Sequence, residues 1–437
     1  MTDDRYSKLS RYVLDNGLPV IIDERAVSDT VYCGIYVRVG SRYETKRNNG
    51  ISHFLEHLLF REKGATPTVK QIEATGGFVN GMTGFEHTNY HFDTLASEFE
   101  KAWDGLYSLV CEPSYGEHEV ELERKIILQE VAGAKSNPLA IAYYAAMKEF
   151  LPNSSLGMPV PGTRKSLKRI KIDEIRKFYE TYYAPNNMFV VIVGGVDTES
   201  AFEAVRRSFT SRNAGPVPPR EFTRPPAPKK RHELRLKTLV DQGYLALGVL
   251  TDGEKSKHKY EMKLIDVVLG SGRNSRIYKE LKVNRGITDF IMSLADMAPV
   301  EARSLSDIGL WGIAVGTPTK DLDEAEQIIL DEVNRIKTEP VPAEELGTAA
   351  KKLLGRFAID CETNSGRAGF YAATELAGEF LSTEDYRKKV EAVTRQTVAE
   401  AAQEHFEDKN IMLLDVKPAR GFQKILAVLR FLIFKRI

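Results

Sequence analysis

The chain has 437 residues, of which 61 are basic and 61 acidic, so the formal net charge is zero, and 42% are hydrophobic. That balance excludes a disordered chain, leaves no global basic or acidic footprint for nucleic acid or charged partners, and predicts two or more domains with sizeable cores. Three widely spaced cysteines, Cys33, Cys111 and Cys361, argue against a disulfide framework and lack the CxxC spacing of a metal knuckle, so buried thiols are expected.

The first ten residues, MTDDRYSKLS, are acidic at their start and have no apolar core. Neither a secretory signal nor an Arg-rich presequence fits them, so a reducing, cytoplasmic location is expected. Residues 12–23 read as two strands turning at Asn16 and Gly17, and residues 31–39 as an apolar strand. Residues 50–60 read GISHFLEHLLF. On a helix, His53 and His57 lie four apart on one face, so both rings can converge on one ion, with Glu56 beside them. Catalytic zinc takes three protein ligands and leaves one position open, and a carboxylate that does not bind it can deprotonate water there. This HxxEH order is the inverse of the commoner zinc-protease motif. The competing reading is an amphipathic helix with two histidines on its polar side. Residues 117–130, EHEVELERKIILQE, supply a third donor: Glu123 and Glu130 are seven apart on one helical face, so one carboxylate can reach the metal while the other orients its ligands.

Residues 172–183 read as a helix. From 212 to 231 the chain reads RNAGPVPPREFTRPPAPKKR, whose six prolines cannot build a core and indicate a semi-rigid linker. The expected organisation is a zinc-bearing module at 1–211, a linker at 212–232, a second module at 233–420 and an apolar, basic tail at 421–437. In the second module, residues 244–250 read as a strand and 343–359 as a helix. Residues 269–291 contain Gly270, Gly272 and Ser275, a faint hint of a dinucleotide loop that lacks its third glycine and its acidic partner. The tail is too short and too interrupted by Arg430 to span a membrane; an interfacial helix, a helix buried against a partner and a disordered tail all remain open.

Together, HFLEHLLF and ERKIILQE resemble the zinc site of the pitrilysin and insulinase family of metallopeptidases, in its two-module subfamily similar to the mitochondrial processing peptidase. Residues 12–23, 76–93, 156–163 and 182–195 resemble further family segments in the same order. The resemblance implies an α+β fold of two related modules, each an antiparallel-rich sheet packed with helices. It implies Zn(2+) held by His53, His57 and Glu130, Glu56 as catalytic base, and Glu123 as a supporting carboxylate. It also implies an extended peptide substrate lying along the strand edge at Asn80, Gly81, Met82 and Thr83.

In the family, a second-module segment similar to residues 269–291 carries an arginine and, seven residues later, a tyrosine that reach the substrate. Here Lys282 and Asp289 occupy those positions, unless the register slips or Tyr278 serves instead. Lysine lacks the bidentate fork, and an ionised aspartate cannot donate as a phenol does. The expectation is a zinc endopeptidase that cleaves peptides or leader segments, acting as the zinc subunit of a heterodimer whose related partner supplies arginine and tyrosine. The alternatives are a homodimeric peptidase active alone and a non-catalytic zinc-binding scaffold. No nucleic acid or membrane partner is expected.

Overall fold

The computed structural model of the protein describes residues 7–61, 65–134, 148, 151, 154–218, 232–238, 240, 242–293 and 307–419. The chain forms two compact units, one from residues 1–133, 158–222 and 358–382, the other from residues 134–157, 223–357 and 383–437. Most of the Pro-rich stretch and the whole 421–437 tail lie outside the described residues.

The first unit runs β1 (Ser7–Val13), β2 (Pro19–Arg25), β3 (Thr30–Val37), α1 (Ile51–Phe60), α2 (Ala65–Ala74), β4 (Phe78–Thr83), β5 (Thr88–Leu95), α3 (Phe99–Cys111), α4 (Glu117–Ala134), α5 (Ile172–Tyr182), β6 (Met188–Gly194) and α6 (Thr198–Phe209). Its six strands lie in the order β1-β2-β6-β3-β5-β4, with only β2 and β6 parallel. Both faces of the sheet are covered, which is why β6 reads MFVVIVG, buried throughout, instead of alternating. Period two sorts the side chains: Val20, Ile22, Cys33, Ile35, Val190 and Ile192 enter one core with α1 and α3, while Ile21, Tyr32, Tyr36, Phe189, Val191 and Val193 enter another. Ala102, Trp103, Leu106, Leu109 and Val110 form the buried stripe of α3 at helical spacing.

The helix that covers the other face is Asn364–Ala377, through Ala368, Tyr371 and Ala372. Its attachment is also polar. Asp23, fully buried, accepts from Arg367 Nη1 and the Tyr371 hydroxyl, each at 2.8 Å, and from Ser7 Oγ. Glu375 accepts from Arg11 and Arg38. The buried charges are therefore paired, as their desolvation requires.

The second unit contains β7 (His232–Thr238), β8 (Gly243–Thr251), α7 (Lys259–Leu269), β9 (Phe290–Ser293), β10 (Gly309–Thr317), α8 (Leu322–Thr338) and α9 (Ala343–Asp360). The chain then enters the first unit as α10 (Asn364–Ala377) and returns as α11 (Thr383–Glu391), α12 (Arg395–His405) and β11 (Ile411–Pro418). Its strand order is β7-β11-β8-β10-β9, with only β7 and β11 parallel. Without β1, the first sheet reads β2-β6-β3-β5-β4, the same arrangement with the parallel pair in the same place. The relation between the modules, faint in sequence, is explicit in this topology, and the α+β expectation holds. All three cysteines are free and buried. Among the described residues no helix is long and apolar enough to cross a membrane.

Candidate metal centre

The HxxEH segment forms α1, a helix buried on most of its surface through Ile51, Ser52, Phe54, Leu55, Glu56, Leu58 and Leu59. Its start is unusual. The N-cap is Gly50 at φ 93°, which has no side chain to satisfy the first backbone N–H groups. A Cβ there would lie 2.8 Å from Gly162 Cα and from the Pro161 carbonyl, so the glycine permits both the left-handed backbone and the close approach of residues 161–162. The missing cap comes from a side chain six residues upstream. Glu44, buried, accepts from Gly50 N at 2.7 Å, Ser52 N at 2.9 Å and Asn49 Nδ2 at 2.9 Å. Burial pushes its carboxyl up to about 7, against the pull of those donors. Its position at the positive end of the helix favours the charged form.

On the helix, the His53 and His57 rings lie 4.5 Å apart, as the four-residue spacing requires. Glu130, from the penultimate turn of α4, brings Oε2 to 3.8 Å from His53 Nε2 and 3.6 Å from His57 Nε2. One donor atom from each of the three residues lies within 4.8 Å of the others. Burial, and secondarily His57, pushes His53 down to about 3, so its ring is neutral at ordinary pH, as a metal ligand must be. His57 Nδ1 lies 3.1 Å from Glu123 Oε2, which fixes the proton on Nδ1 and leaves the Nε2 lone pair facing Glu130 and His53. Arg61 donates to the other oxygen of Glu123, itself buried. These donors fit a tetrahedral-type ion with one position to spare.

Glu56 points elsewhere. It is not among the converging donors; Thr83 Oγ1 donates to its Oε2 at 2.6 Å. Burial raises its pKa, against the Thr83 hydrogen bond and the attraction of His57. Thr83 ends β4, the outermost strand of the sheet, which also carries Asn80, Gly81 and Met82. Among the described residues, the outer edge of β4 has no partner strand. A Cβ on Gly81 would fall 2.4 Å from the Phe60 ring and 3.3 Å from Glu56 Cγ, so this glycine lets the edge strand approach the helix that bears Glu56.

The structure thus brings together His53, His57, Glu123 and Glu130, with Glu56 and the strand Asn80–Thr83 beside them. Lys282 lies half-buried in the π-helical turn Lys279–Asn284, and Asp289 is exposed just before β9, both in the second unit. Sequence reasoning missed Glu44, Arg61 and the bond from Thr83 to Glu56. Arg61 was accessible, since it follows His57 by four residues on one helix face; Glu44 and Thr83 left no spacing signal.

Two family models match the chain: Insulinase (Peptidase family M16) over residues 19–164, and Peptidase M16 inactive domain over residues 169–353. An uncharacterized zinc protease of Streptomyces coelicolor is 27% identical over 90% of this chain and 86% of its own length. Another, from Bacillus subtilis, is 24% identical over 93% of this chain and 98% of its own. The crystal structure of a protease from Helicobacter pylori superposes with a TM-score of 0.83 at 21% identity, covering 94% of this chain and all of that one.

Proposed function

Because the chain belongs to the insulinase (M16) family of metallopeptidases, we propose that it is a zinc peptidase whose metal is held by His53, His57 and Glu130, with Glu56 as the proton-transferring group. One observation carries this reading: three donors converge while Glu56, the carboxylate inside the HxxEH motif, is held aside by Thr83, the division between ligands and base that zinc hydrolysis needs. Bound zinc supplies the positive charge that acidifies water and polarises a peptide carbonyl. Glu56 accepts the proton from the attacking water and delivers it to the departing amine nitrogen. Its raised pKa, a consequence of burial, suits a group that must both take and give a proton. Glu123 keeps His57 in the correct tautomer, and Glu44 anchors the helix start from which His53 projects. The peptide lies extended on the outer edge of β4 at Asn80, Gly81, Met82 and Thr83, bound through its main chain, which makes recognition lenient in sequence.

In this reading the chain is the zinc subunit of a heterodimer in the cytoplasm, acting on peptides or leader segments. Lys282 and Asp289, standing where arginine and tyrosine are needed, support this. A scaffold role has less support, since a structural zinc closes its shell with four ligands and has no use for Glu56. The test is peptide cleavage by the zinc-loaded chain alone, with its mass from light scattering, then with a related chain that retains arginine and tyrosine. Weak cleavage alone and strong cleavage in the mixture is the expected result. Strong cleavage by an isolated homodimer overturns the heterodimer.

A further inference from the structure

The second unit holds another set of metal-competent side chains. Asp252 follows the end of β8, His258 is the N-cap of α7, and Glu404 and His405 end α12. One donor atom from each of Asp252, Glu404 and His405 lies within 4.8 Å of the others. His258 stands beside this set, its Nε2 being 3.4 Å from Glu404 Oε2. The two imidazoles meet edge to face with centroids 6.3 Å apart. Both histidines are buried, at 8% and 4% exposure, whereas Glu404 stands at the surface and leaves an entry path. The His258–Glu404 distance is close to the imidazole–carboxylate distances of the first centre, 3.6 and 3.8 Å.

The ordinary explanation is an ion-pair cluster, since Lys257 Nζ also lies 3.0 Å from Glu404 Oε2. It does not account for the burial of two neighbouring imidazoles against the same carboxylate. Lys257 is 72% exposed, and an exposed pair of this kind contributes little, so a doubly charged ion coordinated by four groups displaces it readily. Two imidazoles with two carboxylates suit zinc or a similar divalent transition ion, and His258 joining the three convergent donors would close the shell as in a structural site. We infer that Asp252, His258, Glu404 and His405 form a second divalent-metal site that ties the start of α7 to the end of α12. It would act as a brace between two helices that already pack against each other.

The experiment is competitive titration of the metal-stripped full chain with Zn2+, using a chromophoric chelator. Two equivalents per chain are expected for the unaltered protein. His53→Ala with His57→Ala should leave one, and adding Glu404→Gln or His258→Ala to that pair should leave none, with the circular dichroism spectrum unchanged. In the His53→Ala/His57→Ala chain, saturating Zn2+ should raise the Tm, and Glu404→Gln should abolish the rise. No Zn2+ bound by the His53→Ala/His57→Ala chain, or a Glu404→Gln chain that keeps both the stoichiometry and the Tm rise, overturns the site. Failure at His53 and His57 would be read separately, as loss of the other equivalent.

Discussion

In the first unit the helix after β3 carries His53, Glu56 and His57; in the second unit the helix in the same place, after β8, is α7, which reads KYEMKLIDVVL and carries no histidine. The sheets beneath them share one strand order and one parallel pair. Met262, Leu264, Ile265, Val268 and Leu269 of α7 are buried as packing residues, the part that Phe54, Leu55, Leu58 and Leu59 play in α1. What distinguishes the units is the polar residue set laid over an equivalent core. The fold positions a helix against a sheet, and whether that helix does chemistry depends on two imidazoles and the carboxylates that reach them from α4.

Substitutions at three positions probe how the first unit sustains that difference. The largest effect should come from Glu44→Ala, which leaves the N–H groups of Gly50 and Ser52 buried without an acceptor. Each orphaned donor costs about 1–3 kcal/mol, so a total of about 2–6 kcal/mol is expected in denaturant unfolding, accompanied by weaker zinc binding as the start of α1 frays. Glu44→Gln, which keeps one acceptor, should lose less. Next is Thr83→Val, which removes the hydroxyl from Glu56 while keeping the shape of the strand. Turnover should fall about tenfold, equivalent to one lost hydrogen bond to a charged group, with zinc content intact. An unchanged kcat would remove Thr83 from the proton-transfer geometry.

The smallest effect concerns pH. Burial, with the Arg38 guanidinium adding to it, pushes His87 down to about 4, whereas an exposed imidazole titrates near 6.5. Between these values the unfolded chain holds a proton that the folded chain does not, so stability falls as pH is lowered from about 6.5 towards 4. Asp93, raised by burial to about 6, acts in the opposite sense between its unfolded value and that pH. The difference between the parent and His87→Gln isolates the histidine: the variant should lose about 1–2 kcal/mol less on acidification to pH 5. Equal slopes in both proteins would place His87 in contact with water.

Where function depended on short-range periodicity, it could be read from the chain. His53 and His57 are one turn apart, Glu123 and Glu130 two turns, and helices bring each pair to one face whatever the rest of the fold does. The edge strand was legible only through the family resemblance of residues 76–93. Long-range closure was not. Glu44 acts on backbone N–H groups, which leave no mark in a sequence, and Asp23 meets Arg367 and Tyr371 only because α10 leaves the second unit to cover the first sheet. The donors around Glu404 come from three elements with no common spacing. Their convergence became visible only in three dimensions.

The most direct test of the catalytic zinc centre in the first unit is Glu56→Gln, measured at once for zinc content and for peptide hydrolysis under the conditions in which the parent is active. A base that is not a ligand predicts unchanged fold and unchanged zinc at His53, His57 and Glu130, peptide binding retained, and turnover lowered by about 10²–10⁴-fold. Turnover within tenfold of the parent, or zinc lost together with activity, would contradict the division of labour between Glu56 and the three ligands.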